Sequence, residues 1–284
     1  MPEENGGVQP SAEQLQDVAI EAGRVFTPSA PIDERALFAG RDREILLIVD
    51  AVYQKGRHAI LFGERGVGKT SLANVLPEFL ERPDSQLLAP RITCDSQDTF
   101  DSVWRKVFNK IELQYDIPGA GFAPSSEMRV ARAAQLLLPD NAEERLTTDS
   151  VRRALTILSQ DSIVIVIIDE FDILAEPTKK ILADSIKTLS DDSVPVTILL
   201  VGVADGVGEL IKEHQSVQRA IEQVKMPRMS RAEIMAIIDR GLDRLGMTID
   251  AVARQRIALL SRGLPHYTHL LSLYAARHAI NNNK

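Results

Sequence analysis

The feature that most narrows what this chain can fold into is the stretch Gly63-Glu64-Arg65-Gly66-Val67-Gly68-Lys69-Thr70, set between Ala59-Ile60-Leu61-Phe62 and Ser71-Leu72-Ala73-Asn74-Val75-Leu76. It reads as strand, glycine loop and helix. Such a loop must turn sharply out of the strand and present consecutive backbone N–H groups to an anion at a helix N-terminus, which is the requirement of a phosphate-binding P-loop. On that reading Gly63, Gly66 and Gly68 allow positive φ and close approach of oxygen atoms, Lys69 reaches the β- and γ-phosphates, and the Thr70 hydroxyl holds Mg²⁺. The run from Gly63 to Ser71 is the candidate nucleotide-binding segment. A chance glycine-rich turn with a lysine would not be expected to carry both flanks.

A second motif stands at a fitting remove. Ile163-Val164-Ile165-Val166-Ile167-Ile168 is a β-branched run suited to a strand buried on both faces, and it ends in Asp169-Glu170-Phe171-Asp172. Alone, an apolar run ending in acids is often a strand meeting a solvated loop. Beside a P-loop, Asp169 is expected to bind the Mg²⁺ shell and Glu170 to orient and deprotonate an attacking water.

With 284 residues, 44% of them hydrophobic, the chain can bury a core without disulfides or structural metals. No apolar run approaches the ~20 residues a membrane-spanning helix needs. The start, Met1-Pro2-Glu3-Glu4-Asn5, is acidic where a signal peptide would be basic, so a cytoplasmic location and no membrane partner are expected. The lone Cys94 cannot form an internal disulfide and, inside an apolar strand, is expected to be an inert core residue. The net charge of −7 argues against a surface that coats nucleic acid. From Ser230 onward, eight basic residues face four acidic ones, a balance that solvated helix faces would also produce.

Along the chain, residues 1–24 are polar, with a short helix expected at Ala12–Ala22 and partial disorder at the very start. Residues 25–229 carry the α/β alternation. Phe38, Ile45, Leu46, Ile48 and Val49 read as one buried stripe leading into a helix through Tyr53. A second strand is expected around Leu87–Cys94, followed by a helix bearing Trp104. Pro118, Gly119, Gly121 and Pro124 mark a loop that breaks the alternation, and residues 127–138 are helical by composition. Val194–Val203 reads as a fourth buried strand with Pro195 at its start and Val224–Met226 as a short fifth, with a helix at about Val207–Lys212 between them. Residues 230–284 read as a three-helix domain: Ser230 and Glu233 form a capping box, Gly246 ends the first helix, Asp250 can cap the second and Pro265 opens the third.

These residues together resemble the AAA+ ATPases, closest to the bacterial and archaeal branch with origin-recognition, transposition-helper and signalling-type members. The likeness covers about residues 36–280. It rests on Phe38-Ala39-Gly40-Arg41, the P-loop, Asp169-Glu170-Phe171-Asp172, Val201-Gly202-Val203-Ala204-Asp205 and Gly263-Leu264-Pro265-His266. The resemblance implies an α/β P-loop NTPase fold, with a parallel five-stranded sheet in the order 5-1-4-3-2 flanked by helices and followed by a small all-α lid. It also implies a site completed by a neighbouring subunit. Asp205 falls where the family usually places an Asn, Thr or Ser that positions the water, and a carboxylate would be unwelcome near the γ-phosphate. Arg219 falls where members extend an arginine into the next subunit's site, a role suited to an always-charged planar fork; a surface arginine without a role is the competing reading. His266 replaces the lid arginine and supplies no fixed charge at neutral pH, which implies slow turnover.

The function these readings imply is an Mg²⁺-dependent ATPase that couples its ATP/ADP state to assembly or remodelling of a partner, as a homo-oligomer or with another protein. Lys69, Glu170 and Arg219 are its catalytic residues, Gly63–Ser71 and His266 its ATP contacts, and Thr70 and Asp169 its metal ligands. Adenine is assigned by the resemblance, since the chain lacks an Asn-Lys-x-Asp guanine-reading motif. A weakly hydrolysing ATP-dependent switch or scaffold is the alternative. A DNA replication or transposition accessory is a third, resting on the family likeness and the basic lid without support from net charge.

Overall fold

The computed structural model describes residues 12–117, 127–139, 144–203 and 217–282. They fall into two compact units: residues 41–65 and 72–226 form one, and residues up to 40, 66–71 and from 227 onward form the other. In chain order the strands are His58–Phe62 (β1), Gln86–Leu88 (β2), Arg91–Thr93 (β3), Glu112–Ile117 (β4), Glu127–Arg132 (β5), Ser162–Asp169 (β6), Val196–Gly202 (β7) and Ile221–Lys225 (β8).

The first unit is built on a parallel sheet with the spatial order β2, β6, β7, β1, β8, in which β3 also pairs with β6. β2 and β3 are two pieces of the expected second strand, interrupted at Ala89-Pro90, where proline cannot donate to a ladder. Counted as one, they make the order 5-1-4-3-2. The centre of the sheet is where the sequence is most continuously apolar: all seven residues of β7 are buried, as is β6 from Val164 to Asp169. Lateral order is set by register, with Ile168 beside Leu200 and Leu200 beside Ile60.

Helices pack on this sheet by amphipathic faces. Phe100–Asn109 (here α5, after Ala12–Val25 α1, Asp42–Val52 α2, Lys69–Val75 α3 and Pro77–Leu80 α4) buries Phe100, Val103, Trp104, Val107 and Phe108 at helical spacing. It opens on a Thr99/Ser102 capping box. Ala133–Leu137 (α6), Thr148–Leu158 (α7) and Glu176–Asp191 (α8) complete the unit's described helices. Cys94 is buried, and burial pushes its thiol up to about 12, so it is an inert core group.

Two expectations fail here. Residues 127–138 are not one helix: Glu127–Arg132 pairs antiparallel with β4, Glu112 opposite Arg132 and Ile117 opposite Glu127, and only Ala133–Leu137 is helical. A partner strand satisfies this segment's backbone groups, and that non-local pairing outweighs its helix-forming composition. Leu46 does not share the buried stripe of Phe38, Ile45 and Ile48; it is 60% exposed, because its position on α2 turns it away from the face that carries Ile45 and Ile48.

The second unit gathers Arg231–Leu245 (α9), Ala251–Ser261 (α10) and Pro265–Asn281 (α11) with α1. Ala22, Val25 and Phe26 lie in the same core as Ile234, Ile238, Leu242 and Leu273. Its caps are those read from the sequence: the Ser230 hydroxyl accepts from the Glu233 N–H at 3.2 Å while the Glu233 carboxylate accepts from the Ser230 N–H at 2.8 Å. Gly246 closes α9 in the left-handed region, and the Asp250 carboxylate accepts from two N–H groups of α10. The chain start, the 118–126 loop, Asp205 and the helix read at Val207–Lys212 lie outside the described residues.

Candidate nucleotide site

β1 ends at Phe62, and the eight-residue motif follows directly. Gly63 is buried, and a Cβ there would run into the Met226 carbonyl at the end of β8, so only glycine lets the chain leave the sheet on this path. Gly66 and Gly68 have φ of 79° and 95°, the left-handed region that other residues adopt at a cost. Glu64 and Arg65 are exposed, Val67 is fully buried, and the helix begins at Lys69. Lys69, Thr70 and Ser71 are half-buried in its first turn, and the Ser71 hydroxyl accepts from the Ile32 N–H at 3.1 Å. The loop therefore has the backbone that a phosphate cradle needs, with positive-φ glycines feeding a helix whose first residues are Lys and Thr.

The acidic motif stands two strands from β1. Asp169 is level with Val201 of β7, which is level with Leu61 of β1, so at the usual strand spacing Asp169 lies ~10 Å across the sheet from the strand that ends in the P-loop. Its carboxylate is 4% exposed and makes two contacts: Oδ2 accepts from the Arg91 guanidinium at 2.8 Å and Oδ1 from the Glu170 N–H at 3.0 Å. Glu170 is exposed and held at φ 56°, a left-handed conformation rare for a carboxylate residue outside turns. Backbone strain of this kind costs of order 1–3 kcal/mol and clusters at functional sites. The turn is braced from below, since the Asp172 carboxylate accepts from the Val203 N–H at 3.1 Å and so ties the end of β7 to the residues after Glu170.

Arg91 and Asp172 are the residues that sequence reasoning left without a role. Arg91 could have been noticed as a charge inside a strand expected to be buried, and Asp172 as the third acid of a motif read only for its first two. Among the described residues there is no cluster of three or more His, Cys, Asp or Glu side chains able to hold a metal. Mg²⁺ is a hard ion that is usually bound through one or two protein oxygens together with phosphates. Thr70 and Asp169 carry side-chain oxygens of the kind such an ion would take.

Arg219 is exposed in a short 3₁₀ turn ahead of β8. β8 runs level with β1 from Ile221 beside His58 to Lys225 beside Phe62, so Arg219 stands at the opposite end of the sheet from Phe62, the last residue of β1, at least ~13 Å away along the strand direction. His266 is exposed in the first turn of α11, with its Nδ1 2.7 Å from the Pro28 carbonyl oxygen and its ring stacked edge-on to Tyr267. No helix of the described residues is long and apolar enough to cross a membrane.

The chain is similar in fold to a Walker-type ATPase of Pyrococcus abyssi (16% identity, TM-score 0.63, covering 92% of this chain and 72% of that one). It is also similar to the Aeropyrum pernix ORC1 protein, solved in complex with DNA (17% identity, TM-score 0.57, 91% and 64%). The Aeropyrum pernix ORC2 protein, solved as ADPNP and ADP complexes, is a further likeness (13%, TM-score 0.56, 87% and 64%). At these identities the likeness is one of fold, and the chain spans slightly less than two thirds of the two Aeropyrum proteins. No curated protein matches it. The AAA domain family matches residues 52–210, a span that contains β1, the P-loop and Asp169-Glu170 and exceeds half the chain, and this protein belongs to that family of P-loop ATPases.

Proposed function

We propose that the protein is an Mg²⁺-dependent ATPase that couples its nucleotide state to the assembly or remodelling of a partner, as a homo-oligomer or with another protein. The observation that carries this is the pairing of a P-loop backbone at the end of β1 with Asp169 and a left-handed Glu170 at the end of β6, two strands away in one sheet. Lys69 would neutralise charge on the β- and γ-phosphates, and Thr70 and Asp169 would hold the ion, which supplies Lewis-acid polarisation of the phosphates when bound. Glu170, exposed and anchored through its own N–H to Asp169, is free to accept a proton from water at its carboxylate. Arg219 would act in a second copy's site, a reading supported by its exposure at the far end of β8.

Lys69→Ala should abolish or severely weaken ATP binding in a calorimetric titration while leaving the fold intact. Glu170→Gln should keep that binding and lose single-turnover hydrolysis, since the amide preserves shape and cannot take the proton. Unchanged ATP affinity in the first variant would remove the P-loop assignment, and wild-type hydrolysis in the second would place the base elsewhere.

A weakly hydrolysing switch is the second reading, and the Arg91 ion pair favours it. A guanidinium on the Asp169 carboxylate competes with the metal, and His266 is engaged with the Pro28 carbonyl. On this reading Arg91→Met, which keeps the bulk and removes the charge, should tighten Mn²⁺ binding measured by electron paramagnetic resonance in the presence of ADP. Unaltered Mn²⁺ affinity would make the ion pair a packing detail. DNA as a partner rests on the family likeness and the basic balance of the residues from Ser230 onward.

A further inference from the structure

A cavity of about 830 Å³ in the sheet unit opens between α5 and the end of β3. Five cationic side chains line it: Arg91 from β3, Arg105 and Lys106 from α5 with Lys110 at its C-cap, and Arg132 from the end of β5. Arg105 and Lys106 lie on α5 away from the buried stripe of Val103, Trp104 and Val107, and Lys110 follows Lys106 by four residues at the helix C-cap. The one carboxylate in the lining, Asp101, is already committed, accepting from Arg105 Nε at 2.7 Å and from the Leu146 N–H at 2.8 Å.

Three of the five cations are fixed by carboxylates. Arg105 is held by Asp101, Arg91 by Asp169, and Lys106 by Asp98 at 2.6 Å and Asp95 at 3.0 Å. The Asp98 hydrogen bond keeps the Lys106 ammonium above its ordinary range, so it stays charged. Lys110 and Arg132 are exposed and have no ion-pair partner among the described residues. They are the charges with most to gain from an anion, and the other three are already oriented, which lowers the ordering cost of binding. Among the described residues that line it none is aromatic, and the contacts it offers are those of charged and polar side chains. Its volume lies within the range usual for small-molecule sites.

We propose that this cavity is a second anion site, separate from the P-loop, that binds a small polyphosphate through its phosphate groups. The competing view, a solvated basic helix face, does not account for cations converging on one concavity from a helix and two strands.

The test uses the full chain carrying Lys69→Ala, which weakens the P-loop's own hold on phosphate, titrated calorimetrically with tripolyphosphate in a chelating buffer. Saturable binding is expected, and adding Lys110→Glu and Arg132→Glu should weaken it roughly tenfold or more. Both residues are exposed, so the same pair of substitutions with Lys69 intact should leave ATP affinity and the melting transition unchanged. Absence of binding at millimolar tripolyphosphate would overturn the proposal. So would equal affinity in the charge-reversed protein, or binding of a single-stranded oligonucleotide that tripolyphosphate fails to displace.

Discussion

Stability of the sheet unit should fall in weak acid because of one imidazole. His58, the first residue of β1, is completely buried, and its Nδ1 accepts the Ile198 N–H at 3.0 Å, extending the contact between β1 and β7 by a side chain. Burial lowers its pKa from 6.5 to about 4, against a smaller upward pull from the Ile186 backbone. Protonation would put an N–H against the Ile198 N–H and bury a charge.

The unfolded chain therefore takes up the proton first as the pH falls. The His58 contribution is fully present above pH 6.5 and is lost as the pH drops toward 4. A shift from 6.5 to about 4 corresponds to a loss of ~3 kcal/mol once both states are protonated, of which ~2 kcal/mol is felt at pH 5. For a unit of this size that is a fall of roughly 4–8 °C in melting temperature. The assay is urea unfolding at pH 8 and pH 5, followed by the fluorescence of Trp104, the only tryptophan, which lies buried in the same unit. His58→Asn keeps an acceptor near the Ile198 N–H and removes the titration, so the change in stability between the two pH values should be ~2 kcal/mol smaller in the variant. Equal pH dependence in the two proteins would show that His58 is neutral for no energetic reason and would refute the reasoning. His269, beside Phe26 in the other unit and also lowered to about 4 by burial, should add a similar acid sensitivity that Trp104 does not see.

Gly202→Ala should destabilise the sheet unit by ~1–3 kcal/mol in the same urea assay, because the new Cβ would meet Asp172 Oδ1 and Phe171 Cε1, each at 2.6 Å. A melt that superimposes on the wild type would show that the turn after Glu170 yields easily. Arg219→Ala should spare ATP binding and reduce turnover. Mixing it with Glu170→Gln should partly restore turnover, since one mixed interface would contain both groups, and no rescue in a verified mixed oligomer would count against an arginine acting between copies.

The P-loop and the acidic strand were legible because each is a local requirement. Glycines at Gly66 and Gly68 announce positive φ, and six β-branched residues before Asp169 announce a strand buried on both faces, whatever surrounds them. Caps were legible for the same reason: Ser230, Glu233, Gly246 and Asp250 satisfy backbone groups within a few residues of themselves. The Glu127–Arg132 segment was misread because its partner, Glu112–Ile117, is supplied by another stretch of chain. Leu46 was misread because an apolar residue in an amphipathic pattern carries no mark of which edge of the helix face it will occupy.

By itself the sequence determined the fold class, the loop that can cradle phosphate and the two carboxylates available to a metal and a water, because backbone sterics and hydrophobic periodicity act over short range. Only the tertiary structure decided that Arg91 neutralises Asp169 across a strand pair, that Asp172 ties β7 to the turn after Glu170, and that five cations from α5, β3 and β5 converge on one cavity. Those arrangements depend on strand register and on which helix face is left outside the core, and both are fixed only when distant segments pair and pack.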